Sequence, residues 1–294
     1  MKKLNLILEL CKVNITLLVI VTCYIGFYLG LRSKGLYMIE FNSWYLFLFL
    51  LVGVFFTSSG ASALNQYIER DYDSMMDRTK NRPIPLNLIK PNLAIVIGVF
   101  FSIFGLLVLY FFINTLTAII SLITILTYLF VYTPLKRITS LNTIVGSIPG
   151  ALPPLGGWAA ATNEVDIRAF MLFGILFCWQ IPHFLSLAII YKDDYRKGGF
   201  KMLPSITDNV SEISFQIIFF TMALLYTSIG IFYLNVTSYI YVVGAVLLGL
   251  IFLFYSSSIL FNYSNEKIKR IFIFSIIYLP LLLILIVIDT IVNG

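Results

Sequence analysis

The chain has 294 residues, of which 60% are hydrophobic and 12% charged, with a formal net charge of +6 and a mean hydropathy of +0.95. Such values exclude a soluble globule of ordinary makeup. The surplus of Lys and Arg suits loops facing an anionic leaflet and calls for no nucleic acid partner. The expected class is all-α, a polytopic membrane protein in the lipid bilayer with residues 1–294 forming one integral-membrane domain. Continuous apolar runs without strict alternation argue against a β-barrel.

Crossing about 30 Å of hydrocarbon takes about 20 apolar residues. Nine runs of that kind are predicted as transmembrane helices, at 13–31, 44–66, 93–113, 115–135, 141–162, 168–191, 214–234, 238–262 and 271–291, bundled around an apolar cavity. With the N-terminus in the cytoplasm, seventeen of the twenty Lys and Arg residues fall inside and only Arg32, Lys34 and Arg168 outside, a strong positive-inside bias. Cys11, Cys23 and Cys178 are scattered over apolar segments with no metal or redox spacing and read as packing residues.

Just ahead of the first span, Lys12 has two readings, a snorkelling cation at a membrane face or a reach to an anionic ligand. Thr57 to Ala63 is a run of small residues, fit either for close helix packing or for leaving room for a ligand. Asn65, Glu69, Asp73 and Asp77 then follow at four-residue steps. On a helix continuing to the stop at Pro83 and Pro85, these four side chains share one face. Stacked carboxylates repel unless a cation sits among them, and hard oxygen ligands suit Mg²⁺. Arg78, Lys80 and Arg82 follow at once. An acidic, metal-holding face beside a basic cluster matches a diphosphate bridged by Mg²⁺.

Lys136 and Arg137 close the fourth span at the same membrane level, either as topology signals or as further diphosphate contacts. The fifth span carries Gly146, Pro149, Gly150, Pro153, Pro154, Gly156 and Gly157, the composition of a kinked helix lining something. The sixth holds the only histidine, His183, and leads into Lys192, Asp193, Asp194, Arg196 and Lys197. This second charged patch lies on the same side as the first. The last three spans complete the bundle, with one charge inside them, Asp289.

The run from Asn65 to Asp73 resembles the first motif of the UbiA superfamily of intramembrane prenyltransferases, N-x-x-x-D-x-x-x-D, with Glu69 in place of the first Asp. NQYIERDYDSMMDRTKNRP, YTPLKRITSLNT, GALPPLGGWAA and PHFLSLAIIYKDDYRKGGFKMLP are similar to the signature blocks of its protohaem IX farnesyltransferase branch. The resemblance covers about residues 65–204. It implies transfer of farnesyl from farnesyl diphosphate to a vinyl group of protohaem IX (haem b), with Mg²⁺ as cofactor. Asn65, Glu69 and Asp73 would be the catalytic centre, and Asp77, Asp193 and Asp194 further metal ligands. Arg78, Lys80, Arg82, Lys136, Arg137 and Lys192 would bind diphosphate, and His183 would contact haem, against the plainer reading of a packed imidazole. It also implies a bacterial cytoplasmic membrane with the active-site loops inside, and haem A synthase as a partner. A quinone precursor or another aromatic compound is the alternative acceptor.

Overall fold

The computed structural model describes residues 2–292, and the side chains of Lys2, Lys3 and Phe41 lie outside what is described. Lys2 and Lys3 belong to the predicted cytoplasmic set.

A short amphipathic helix opens the chain, α1 (Lys2–Leu10), and breaks at Lys12, whose backbone is left-handed (φ 48°). The bend lets α2 (Val13–Ser33) leave in a new direction. α3 (Phe41–Asp73) has 33 residues, about 50 Å at 1.5 Å per residue, so it exceeds the hydrocarbon thickness. α4 (Pro91–Phe112) starts on a proline, which the first helical position tolerates. α5 (Thr115–Leu126) is capped by Asn114, which accepts the Thr117 N–H at 2.8 Å and donates to the Ala159 carbonyl at 2.9 Å. A wider π-helical turn (Thr127–Tyr132) carries α5 into α6 (Thr133–Leu135), completing one span.

α7 (Asn142–Thr162), α8 (Ile167–Ile190), the short α9 (Lys192–Lys197) and α10 (Leu203–Ile206), then α11 (Val210–Tyr233), α12 (Tyr239–Phe261) and α13 (Asn265–Val292) follow. Among the described residues eight helical segments are long and apolar enough to cross a membrane. α7 is not one of these eight, although it has 21 residues and most of them are buried. The nine predicted spans therefore correspond to eight apolar helices and one Gly- and Pro-rich helix sheltered inside the bundle.

Close backbone contact seats α7. A Cβ on Gly157 would come within 1.9 Å of the Cys23 carbonyl oxygen, and one on Gly26 within 1.9 Å of the Pro154 oxygen, so α2 and α7 touch main chain to main chain. The small run on α3 serves the same end, because a Cβ on Gly60 would meet Ser102 Oγ at 2.4 Å on α4. Of its two predicted uses, the structure supports close packing. Asp289 accepts the backbone N–H groups of Ser238 and Tyr241 at 2.5 and 3.0 Å, which gives that in-span charge a capping task at the start of α12.

Successive long helices alternate in direction. Lys12 and the segments bearing Arg70–Lys90, Lys136–Arg137, Lys192–Lys201 and, in the first turns of α13, Lys267–Arg270 lie at one end, and Arg32, Lys34 and Arg168 at the other. A cavity of about 200 Å³ opens at the latter end beside Arg32, Arg168 and Asp289. An apolar cleft lies between α2 and α3, walled by Tyr24, Phe47 and Leu50.

Candidate active site

The last turns of α3 carry Asn65, Glu69 and Asp73 on one face, all buried, at 0%, 5% and 1% exposure. Burial of two carboxylates is costly without partners, and three cations from three other segments supply them. Lys12 Nζ donates to Asn65 Oδ1 at 2.9 Å, Lys136 Nζ to Glu69 Oε1 at 2.8 Å, and an Arg82 guanidinium nitrogen to Asp73 Oδ2 at 2.6 Å. Asp73 Oδ1 is buried and has no hydrogen-bond partner. Asn65 Nδ2 donates to Thr133 Oγ1 at 3.2 Å, and that hydroxyl donates to the Tyr128 carbonyl at 2.8 Å. The irregular π turn thus positions the α3 face from the opposite helix.

Electrostatics separates the two lysines. Burial, with Arg82 nearby, pushes Lys12 down to about 7. Burial also works against the charge on Lys136, but Glu69 and the adjoining Tyr132 and Tyr128 outweigh it and hold Lys136 above the ordinary lysine range. Lys136 further sits 4.5 Å from the Tyr132 ring centroid, a favourable cation–π distance.

Asp77 departs from the expected face. α3 ends at Asp73 and the chain turns back, fastened by Thr79 Oγ1 donating to the Asp73 carbonyl at 2.9 Å. The helix stops ten residues before Pro83 because Thr79 and Arg82 return to Asp73 and close a loop. Asp77 is exposed there, held down to about 2 by Lys197 and Lys80, which each donate to it at 2.6 Å.

The six expected diphosphate contacts fall into two groups. Arg82 and Lys136 point into the cluster, and Arg137 stands one residue away, donating to Tyr72 Oη at 2.5 Å. Arg78 lies against Tyr191 and Tyr195, Lys80 pairs with Asp77, and Lys192 pairs with Asp208, all at the exposed rim. Asp193 is exposed, and Asp194 accepts backbone N–H groups of Asp77 and Arg78. His183 faces α13, where Nδ1 is 2.8 Å from Ser275 Oγ and the ring is stacked between Trp179 and Phe272. α8 meets α7 through Gln180, which donates to the Ser147 carbonyl at 3.4 Å, while His183 is engaged by α8 and α13.

Lys12 is the residue that sequence reasoning undervalued. A snorkelling lysine and a ligand-facing one look alike in an apolar run, and the left-handed bend that aims it inward leaves no signature in residue type. The supporting Thr133 and Tyr128 carry no signal beyond their place before Lys136.

The cluster can hold a hard divalent cation. One amide and two carboxylates supply oxygen ligands, and the stranded Asp73 Oδ1 is the acceptor such an ion would satisfy. Mg²⁺ commonly takes one or two carboxylates and leaves other positions to phosphate and water. Among the described residues no group of three or more His, Cys, Asp or Glu side chains could hold a metal ion; in this cluster the third oxygen would come from the Asn65 amide. Open phosphate positions, with Lys12, Arg82 and Lys136 around them, fit a diphosphate.

Comparison with known proteins agrees in sequence and in fold. Residues 15–278 match the UbiA prenyltransferase family. The chain is 38% identical to the protoheme IX farnesyltransferase of Solibacter usitatus, over 96% of this chain and 97% of that one. It is also 38% identical to the protein of that name from Flavobacterium psychrophilum, over 96% and 93%. A structure concerning digeranylgeranylglyceryl phosphate synthase superposes with a TM-score of 0.80 at 19% identity, covering 98% of this chain and 99% of that one. A UbiA homolog from Archaeoglobus fulgidus bound to GPP and Mg²⁺ gives 0.65 at 17% identity, over 96% and 99%. With nearly the whole length matched and the acidic face at the end of α3 in its motif, the chain belongs to the UbiA prenyltransferase family.

Proposed function

We propose that this membrane prenyltransferase moves the farnesyl group of farnesyl diphosphate onto a vinyl group of protohaem IX. The observation that carries the reading is the buried triad Asn65, Glu69 and Asp73, ringed by Lys12, Arg82 and Lys136, with Asp73 Oδ1 left without a partner. The acceptor is supported by the printed names of the relatives, and the metal by the Mg²⁺-bound fold neighbour.

Mg²⁺ held by Asn65, Glu69 and Asp73 would neutralise charge on the diphosphate and so favour its departure. Arg82 and Lys136 bind the same group and balance the charge left over, and Lys12 is placed to join them. Arg137, Arg78, Lys80 and Lys192 guide the anion in from the rim, with Asp77 and Asp193 bracing their loops or adding metal ligands and Asp194 bracing the loop after α3. The C–O bond to the farnesyl carbon breaks and its electron pair leaves with the diphosphate. The vinyl carbon supplies the pair for the new C–C bond, and water adds its hydroxyl to the neighbouring vinyl carbon while losing a proton. A hydroxyethylfarnesyl porphyrin, haem O, results. The apolar side chains of the surrounding helices suit the isoprenoid tail and shield the reacting carbon from bulk water.

Haem contact is assigned to His183, whose Nε2 is the ring nitrogen not engaged by Ser275. The cation-rich end is assigned to the cytoplasm of a bacterial cell membrane by the positive-inside rule, and haem A synthase is the natural consumer of the product. The test offers purified protein farnesyl diphosphate and Mg²⁺ with protohaem IX or with a quinone precursor. Farnesylated haem supports the reading, and transfer to the quinone precursor alone overturns it.

A further inference from the structure

α9 is six residues long, too short to be stable on its own, and its side chains hold two neighbours: Lys192 and Arg196 reach Asp208, with Arg196 also donating to the Ser205 carbonyl, and Asp194, Tyr195 and Lys197 engage the loop after α3. Both carboxylate oxygens of Asp194 accept backbone N–H groups of that loop, Oδ1 from Asp77 at 3.0 Å and Oδ2 from Arg78 at 3.0 Å. Lys197 Nζ donates to Asp77 Oδ2 at 2.6 Å, and Arg78 donates to Tyr195 Oη at 3.2 Å. Beneath these contacts Met76 is buried with Ala188, Phe200 and Met202. Gly198 makes the approach possible, because a Cβ there would come within 2.9 Å of Met76 Sδ.

We propose that Asp194 is a positioning residue, a latch that fixes the Met76–Arg82 loop and thereby sets the Arg82 guanidinium on Asp73, and is not a ligand of a second metal ion. Consecutive N–H groups form a concave anion seat, and a carboxylate bridging them is aimed at main chain. The loop transmits the constraint because it is tightly wound: the Thr79 and Lys80 N–H groups both donate to the Met76 carbonyl, and the Arg82 N–H donates to the Thr79 carbonyl at 3.0 Å. The second charged patch of the sequence thus holds the first patch in place.

The latch stands on geometry alone, and only the kinetic arm of its test rests on the prenyl-transfer reading. The experiment is hydrogen exchange on the intact protein in lipid nanodiscs, comparing wild type with Asp194→Asn, Asp194→Ala and Asp193→Asn. Asp194→Asn keeps the shape but turns one acceptor into a donor facing an N–H. Peptides spanning Asp77 and Arg78 should exchange about tenfold faster or more in both Asp194 variants, the scale of losing a charge-assisted hydrogen bond, and as in wild type in Asp193→Asn. The KM for farnesyl diphosphate should rise in Asp194→Asn, with the Mg²⁺ concentration for half-maximal activity unchanged. Unchanged exchange at Asp77 and Arg78 in both Asp194 variants would overturn the latch, as would a raised Mg²⁺ requirement with wild-type exchange. A wild-type protein inert toward farnesyl diphosphate would sink the functional reading while the exchange arm still decided the latch.

Discussion

Arg82→Met isolates the electrostatic logic of the acidic face. Arg82 supplies the side-chain donor to Asp73 Oδ2 at 2.6 Å, and the Asp73 side chain is 1% exposed with Oδ1 already unpartnered. Removing the guanidinium strands a buried carboxylate, for which the cost is about 3–5 kcal/mol, roughly a hundredfold to several thousandfold in the folding equilibrium. Asp73→Asn made in the same chain removes the stranded charge. The double variant should therefore regain most of the loss, with a coupling of about 3 kcal/mol, because the two groups are in direct contact. The assay is reversible unfolding of wild type, both single variants and the double variant in mixed detergent micelles, read by tryptophan fluorescence. Millimolar Mg²⁺ should stabilise Arg82→Met more than wild type, as the ion takes over neutralisation of Asp73. If the single losses simply add, the buried pair is not what holds this end of α3 and the reasoning fails.

Other outcomes follow from the packing and the caps. Gly157→Ala should destabilise by about 1–3 kcal/mol or block folding, while the adjacent Gly156→Ala, whose Cβ would find only Ile120 Cγ2 at 3.5 Å, should be tolerated; equal thermal midpoints would contradict the α2–α7 contact. Asp166→Ala should cost about 1 kcal/mol as a lost N-cap, since Asp166 accepts the Arg168 and Ala169 N–H groups. Burial pushes the Asp166 carboxyl up, but Arg168 and those N–H groups outweigh it and hold it below the usual range. Its stabilisation is complete above about pH 4 and lost as pH falls through the lowered value, so acid unfolding of the variant should be flatter there. His183→Ala should shift the Soret band of haem-loaded protein and reduce haem O formation, and identical spectra with full activity would leave His183 as a packing residue against Ser275.

The spans were legible because hydrocarbon imposes a length and a composition that few other environments share. Even α7 could be placed, since prolines and glycines at membrane depth imply shelter by protein. Asn65, Glu69 and Asp73 were legible through helical spacing, but the same rule carried Asp77 too far. Spacing cannot announce that Thr79 and Arg82 will fold back on Asp73 and end the helix. Lys12 was obscured for a related reason, its role depending on a backbone bend and on a distant Asn65. The contacts of Asp194 with main-chain N–H groups of another loop were invisible to residue type, because any residue can supply an N–H.

The most direct measure of the central claim is mass analysis of haems extracted from cells that lack the enzyme and carry this chain, its Asp73→Asn variant, or neither. Haem O should form in cells with the wild-type chain only, with the Asp73→Asn protein present in the membrane at comparable amounts. Haem O formed equally by Asp73→Asn, or haem b unmodified in cells carrying the wild-type chain, would contradict it.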